Sequence, residues 1–298
     1  MTSGIAATYK ARDVESLLDL YFYRPIGYQL ARFFAVAGFR PSGVSLLGAA
    51  IGILAGHLYF YRDLRLNLIG MSLHLLTNAL DNADGQLARL TNRGSLEGAI
   101  VDGVADYVVF ASVYLHLALR HVAAGGSDFI WLLVIAAALS HGVQSMTIDL
   151  VRNAYLQFVA GKRSLDANSP ETVRAAYEAA SWRQWWKKLG LRNYLGYTRQ
   201  QEALAPALRK LRLTLSGGGA PPWFATEYRA DCLPLVKWCN GLATNPRMLL
   251  LFAVLLLGHP TWYFWIEVTA MNLLLFYVRQ RHETIFRSFL VRVASPFR

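Results

Sequence analysis

Cysteine is nearly absent from this 298-residue chain, with only Cys232 and Cys239 present. Two thiols at that separation are too few for a zinc site, so they read as buried or membrane-adjacent free thiols. Acidic residues are also in short supply: 19 Asp and Glu stand against 30 Lys and Arg, for a net charge of +11. A basic balance alone fits nucleic acid, an anionic membrane surface or an anionic substrate. Nucleic acid is the poorer fit, because the basic residues sit between apolar runs and not in one soluble module. No short apolar segment near Met1 ends in a small-residue cleavage site, so no cleavable signal is expected. The glycine run Ser216-Gly217-Gly218-Gly219, followed by Pro221-Pro222, lacks the lysine and the following helix of a phosphate loop and reads as a turn. No internal repeat is visible.

What the chain does have is apolar length. Hydrophobic residues make up 54% of it, and they fall in runs near the roughly 20 residues that a helix needs to cross a bilayer. The runs predict an all-α integral membrane protein with six transmembrane helices. These are Val44–Tyr61, Leu64–Leu80 continuing into Asp81–Leu90, Gly98–Leu119, Phe129–Val151, a short Pro246–Leu257, and Thr261–Val278. With that layout, 27 Lys and Arg lie on one side and only Arg62, Arg65 and Arg120 on the other. The positive-inside rule then puts both termini and the site described below on the cytoplasmic side, in the inner membrane if the source is bacterial. Leu17–Phe39 mixes aromatics and aliphatics with Arg24 and Arg32, as suits an N-terminal interfacial helix. Residues 161–240 read as a helical cytoplasmic insertion between spans four and five, within one membrane-embedded catalytic domain covering 1–298. In it, Trp182, Trp185 and Trp186 stand beside Arg183, Lys187 and Lys188, a pattern for an interfacial helix or a small packed subdomain.

The informative stretch is Asp81-Asn82-Ala83-Asp84-Gly85-Gln86-Leu87-Ala88-Arg89, then Gly98, Asp102 and Asp106. Asp81 and Asp84 are three apart and Asp102 and Asp106 four apart, so each pair shares a helix face. A short polar connection with Asn92 and Gly94 folds the two helices back as neighbours and gathers four carboxylates at their cytoplasmic ends. Such a cluster is costly near lipid, and like charges raise the cost further. Two divalent cations would balance it, and an all-oxygen set without nearby His or Cys suits Mg²⁺ or Mn²⁺. The small residues Ala83, Gly85, Ala88, Gly98, Ala99, Gly103 and Ala105 allow close approach of helices or leave room for a ligand.

Read from Asp81 to Asp106, the pattern D-x2-D-G-x2-A-R-x8-G-x3-D-x3-D resembles the signature of the CDP-alcohol phosphotransferase (CDP-alcohol phosphatidyltransferase) family, with every fixed position filled. The resemblance implies that Asp81, Asp84 and Asp102 ligate metal, and that Asp106 ligates metal and acts as the general base. It implies that Gly85 and Ala88, with Gly98, make room for the cytidine end of the donor, and that Arg89 secures the motif or meets phosphate. Pro41-Ser42-Gly43-Val44-Ser45 is similar to the family's entry to its first span; Ser42 replaces the usual Asn, while Ser45 keeps a donor contact. The implied activity belongs to phospholipid biosynthesis: transfer of a phosphate-linked group from a CDP-activated donor, CDP-diacylglycerol by analogy, to a small alcohol acceptor, with release of CMP. Homodimers are common in the family.

Other readings stay open at this point. An intramembrane prenyltransferase also uses Asp-rich motifs with Mg²⁺, and a divalent-cation transporter also keeps acids in its path. Arg152, Arg279 and Arg281 could grip a phosphorylated acceptor such as an inositol phosphate, or anchor to lipid head groups. His74, His116 and His141 read as hydrogen-bonding residues between helices, and Asp149 and Glu267 as paired structural acids.

Overall fold

The computed structural model describes residues 12–161 and 170–294. Lys10, Lys162, Arg163 and Arg298 of the charge tally, the two chain ends and residues 162–169 of the expected insertion lie outside these. The described residues are helical throughout, with no strand among them. A 3-10 turn (Arg12–Val14) and a π turn (Asp19–Tyr23) lead into α1 (Arg24–Val36), α2 (Pro41–Leu58), α3 (Leu64–Thr91), α4 (Leu96–Ala123) and α5 (Ile130–Val159). Then come α6 (Pro170–Ala179), α7 (Trp185–Leu204), α8 (Pro206–Gly218), α9 (Phe224–Cys239), α10 (Thr244–Leu256), α11 (Trp262–Val268) and α12 (Ala270–Ala294).

Among the described residues, four stretches are long and apolar enough to cross a membrane: Pro41–Leu58, Leu96–Ala123, Ile130–Val159 and Phe224–Leu256. The first three coincide with expected spans one, three and four. The expected second span is one helix, α3, of 28 residues; its length suffices, but Asp81, Asp84, Arg65 and Arg89 dilute its apolar character. The short fifth span proves to be the end of a longer apolar stretch that begins at Phe224, inside the segment expected to be a polar insertion. The sixth is interrupted: α11 ends at Val268, Thr269 takes φ −104° and ψ −81°, and α12 starts afresh.

The chain forms two compact units. One runs up to Gly142 and resumes over Thr244–Ala270; the other holds Val143–Ala243 and the chain from Met271 onward. In the first unit, α2 lies against both α3 and α4. The contact surface on α2 is a glycine seam at a spacing of four. A Cβ at Gly48 would touch Leu80 of α3 at 3.5 Å, and one at Gly52 would strike Val109 of α4 at 2.5 Å and Thr77 of α3 at 3.1 Å. At Gly56 it would meet the hydroxyl of Ser112 at 2.6 Å and the backbone nitrogen of Val113 at 2.9 Å. Bare backbone therefore lets α2 approach both partners more closely than any side chain would allow. Of the small residues beside the acids, Ala83 is closely approached by Gly27 of α1, where a Cβ would stand 3.2 Å from the Ala83 backbone nitrogen, while Gly103 has open space, with nothing within 4 Å of a Cβ there.

α1 is strapped across α3. Ala31 and Phe34 bury against Val44, Leu80, Ala83 and Leu87, while Phe33 and Val36 stay exposed. The Gln86 amide donates to the Arg24 carbonyl at 3.1 Å, and the Arg24 guanidinium forks onto Glu15 at 3.0 and 2.6 Å. Further along this unit, Arg247 of α10 is ion-paired with Glu267 of α11, both almost wholly buried. Tyr114 of α4 donates to the same carboxylate at 3.3 Å and shares a hydrogen bond of 2.9 Å with His141. His74 shares one with Tyr59 at the end of α2, and His116 of α4 shares one with His57 of α2 at 3.2 Å. The histidines thus tie helices together, in keeping with the reading made from the sequence.

The second unit is knit by an aromatic cluster, Phe158, Phe224, Tyr228, Phe286 and Phe289, with ring centroids 5.1 to 6.0 Å apart. Polar fastenings supplement it: Tyr197 donates to Asp149, Arg152 to Asn240 at 2.7 Å, and Gln144 to Asn272 at 2.8 Å.

A methyl group in the glycine seam has nowhere to go where it faces backbone. Gly56→Ala is expected to destabilise the protein by about 1–3 kcal/mol through overpacking, read as a lowered melting temperature in detergent. Gly43→Ala, where a Cβ meets nothing within 4 Å, should leave the melting temperature unchanged or slightly raised.

Candidate metal centre

The local sequence explains how the acids meet. α3 ends where Asn92 adopts the left-handed conformation (φ 52°), its N–H returning to the Ala88 carbonyl. Asn tolerates this conformation better than most side chains. Three residues on, the Ser95 hydroxyl caps α4 by accepting from the Gly98 N–H at 3.0 Å. Two long helices are thereby joined by a four-residue turn, and Asp81 and Asp84 near the end of one meet Asp102 and Asp106 near the start of the next.

Carboxylate oxygens of Asp81, Asp84 and Asp102 all lie within 4.8 Å of one another. Asp84 is buried, Asp102 half-buried and Asp81 exposed, so the cluster grades from a packed floor to an open mouth. Asp106 is exposed on the wall of the same cavity, one turn beyond Asp102. The floor is completed from α2, where the Ser45 hydroxyl donates to Asp84 Oδ2 at 2.5 Å and also approaches the Pro41 carbonyl at 3.2 Å. Gly48, Thr77, Ala105 and Val109 close the apolar side. All donors are oxygens on rigid helices, with the geometry left open on one side, and this fits a hard divalent cation that keeps room for substrate oxygens.

The remaining predicted residues lie close by but outside the cavity wall. Gly85 and Ala88 continue the faces of Asp81 and Asp84 by one further turn of α3. The Arg89 guanidinium folds back over Gly85, 3.4 Å from where a Cβ would stand, and Gly98 is engaged in the cap of α4. Sequence reading missed Gly48 and Thr77, although each was within reach: Thr77 precedes Asp81 by one turn, and Gly48 follows Ser45 by three residues on the same face. Arg152, Arg279 and Arg281, considered as acceptor contacts, belong to the second unit; Arg279 and Arg281 are exposed on α12.

An all-helical integral membrane protein with an oxygen-only acidic centre at the meeting of two helices is the class these features define. Residues 22–165 match the CDP-alcohol phosphatidyltransferase family, as the motif led us to expect, and members of that family are phosphotransferases. Members carry phosphatidyl-type groups from CDP-alcohols to alcohols in membranes and generally work with divalent metal ions. A comparison with curated proteins returns no match.

The Ser45 contact gives a sharp test. Losing a hydrogen bond that orients a ligand typically weakens metal affinity about 10- to 100-fold. Ser45→Ala should do so for Mn²⁺ measured by paramagnetic resonance in detergent, while Asp84→Asn should abolish high-affinity binding altogether. Unchanged Mn²⁺ affinity in both variants would remove Asp84 from the ligand set.

Proposed function

We propose that this protein transfers a phosphatidyl group from CDP-diacylglycerol to a small alcohol, a polyol or inositol (phosphate) by preference, and releases CMP. The observation that carries this is the convergence of three carboxylates from α3 and α4 within 4.8 Å in the segment that matches the family. A lipid donor is favoured by the flank of the cavity: Val104, Tyr107 and Val108 are exposed beside Asp102 and Asp106 on α4, as are Leu46 and Leu47 beside Ser45 on α2. Acyl chains could lie along these side chains while the diphosphate enters between the acids. Six spans, with both termini and the acidic centre on the cytoplasmic side and one catalytic domain over 1–298, complete the proposal; the charge asymmetry of the sequence supports it.

Asp81, Asp84, Asp102 and Asp106 would hold Mg²⁺ or Mn²⁺, two ions balancing four carboxylates. When bound, such ions supply charge neutralisation of the diphosphate and of the leaving phosphate. The chain's own residues do the rest. Ser45 fixes Asp84, which sets the floor of the site. Asp106, at the open mouth, takes the proton from the acceptor hydroxyl. The freed oxygen bonds to the donor's β-phosphorus as the bond from that phosphorus to the CMP oxygen breaks, and CMP departs with the electron pair. Gly85 and Ala88 leave space along α3 for the cytidine end, with Arg89 folded over that stretch.

CMP release by purified protein with Mg²⁺, CDP-diacylglycerol and a panel of myo-inositol, inositol phosphate, glycerol phosphate, serine and ethanolamine tests the proposal. One acceptor should support turnover. Asp106→Asn should lower kcat by about 10²- to 10⁴-fold with donor binding largely retained. Normal turnover in that variant would take the base role away from Asp106. Silence with every acceptor, but CMP from a soluble CDP-alcohol, would overturn the lipid donor.

A further inference from the structure

The helices beyond the family-matching segment carry a second feature that the transfer reaction does not use. Between Ser181 and Gln201 there are five basic residues and no Asp or Glu. Trp185, Leu189, Arg192, Gly196 and Arg199 follow one another at intervals of three and four, so they form a single stripe along α7. Its first half is apolar and open, with Trp185 63% and Leu189 49% exposed. Its second half is cationic, and it faces a groove between α6 and α7 lined by Arg174, Tyr177, Glu178, Arg192, Gly196 and Arg199. Gly196 leaves bare backbone there, with open space where a Cβ would stand. Arg174 is held by Glu178 at 2.8 Å, which leaves Arg192 and Arg199 as the groove's cationic pair on α7.

The groove is held in shape by Lys188. Its ammonium lies 5.0 Å from the Tyr177 ring and 4.9 Å from the Trp182 ring, and donates to the Ala180 carbonyl at 3.0 Å. This lysine fastens α6 to the start of α7. Trp182 and Trp186 are exposed at the same end of the helix, at 71% and 51%.

We propose that the α6–α7 groove is a binding site for one anionic phospholipid. The phosphate would sit between Arg192 and Arg199 over Gly196, and the glycerol and upper acyl region along Leu189 and Trp185. Charge complementarity selects a phosphate-bearing ligand. The apolar half of the same stripe selects a lipid over a soluble anion, because a free phosphate would leave Trp185 and Leu189 uncovered. Tryptophan at such a boundary is where an amphipathic ring is most stable.

Full-length protein in nanodiscs of phosphatidylcholine, doped with increasing phosphatidylglycerol brominated in its acyl chains, tests this. The signal is the fluorescence that Trp185→Phe removes. It should be quenched by brominated phosphatidylglycerol and far less by brominated phosphatidylcholine. The phosphatidylglycerol fraction for half-quenching should rise about thirtyfold in Arg192→Gln/Arg199→Gln, as expected from two basic side chains at an anionic surface. Arg192→Lys/Arg199→Lys should keep most of the preference, which separates lost charge from lost folding. Equal quenching by the two lipids would overturn phosphate recognition. Relief of quenching by inorganic phosphate would assign the groove to a soluble anion and overturn the lipid. Absence of quenching by either, whether through protection by a second copy or distance from the bilayer, would overturn the site. None of these readouts depends on CMP release, so they stand apart from the outcome of the activity assay.

Discussion

Three carboxylates cannot gather unaided. At a separation of about 4 Å and an effective dielectric near 20, each like-charged pair repels by about 4 kcal/mol, and a flexible scaffold would simply splay until that term faded. Here the repulsion is contained because the acids sit on helices that cannot move apart. α2 wedges its glycine seam against both of them, and Gly52 is in reach of Thr77 on one side and Val109 on the other. The turn that joins α3 to α4 is pinned at both ends, by left-handed Asn92 and by the Ser95 cap. What remains of the repulsion is then available as affinity for a cation, since binding relieves it. The quality of the centre is therefore decided by residues that are not acidic at all.

The same logic extends outward. Asp84 is the most buried of the three, and the Ser45 hydroxyl donates to it. Gln86 faces away from the cavity, yet it reaches the Arg24 carbonyl and so binds the helix of the acids to α1, which the Arg24–Glu15 ion pair in turn secures. A change at Glu15 would reach the metal centre through this chain of contacts.

Much of this was legible in the residues. The acids and their spacing, the turn at Asn92, the histidines as hydrogen-bonding residues and the pairing of Glu267 and Asp149 followed from helix periodicity and from the cost of burying polar groups. Other features were not. Small residues around the acids suggested close approach of helices or room for a ligand, but the tight seam on α2 went unread; the spacing of Gly48, Gly52 and Gly56 was visible, but periodicity names a face and not its partner. The break at Thr269 had no proline or glycine to announce it. The apolar stretch that begins at Phe224 was hidden because Glu227, Arg229, Asp231 and Lys237 interrupt it, and charge at that density reads as loop. Arg247, at the edge of the short fifth span, was not matched to Glu267, since a sequence scan scores each charge alone and does not see that one neutralises the other.

That last pairing bears on how the chain is made. Arg247 lies within an apolar stretch and emerges from the ribosome 20 residues before its counter-charge. Delivered alone, α10 would present the insertion machinery with an unneutralised guanidinium, and α11 alone would present a bare carboxylate. The two short helices, joined by the left-handed turn at Gly258, bury this pair without net charge only when both are in place. The burial of either charge thus depends on the other, whatever the hydropathy of either helix taken singly.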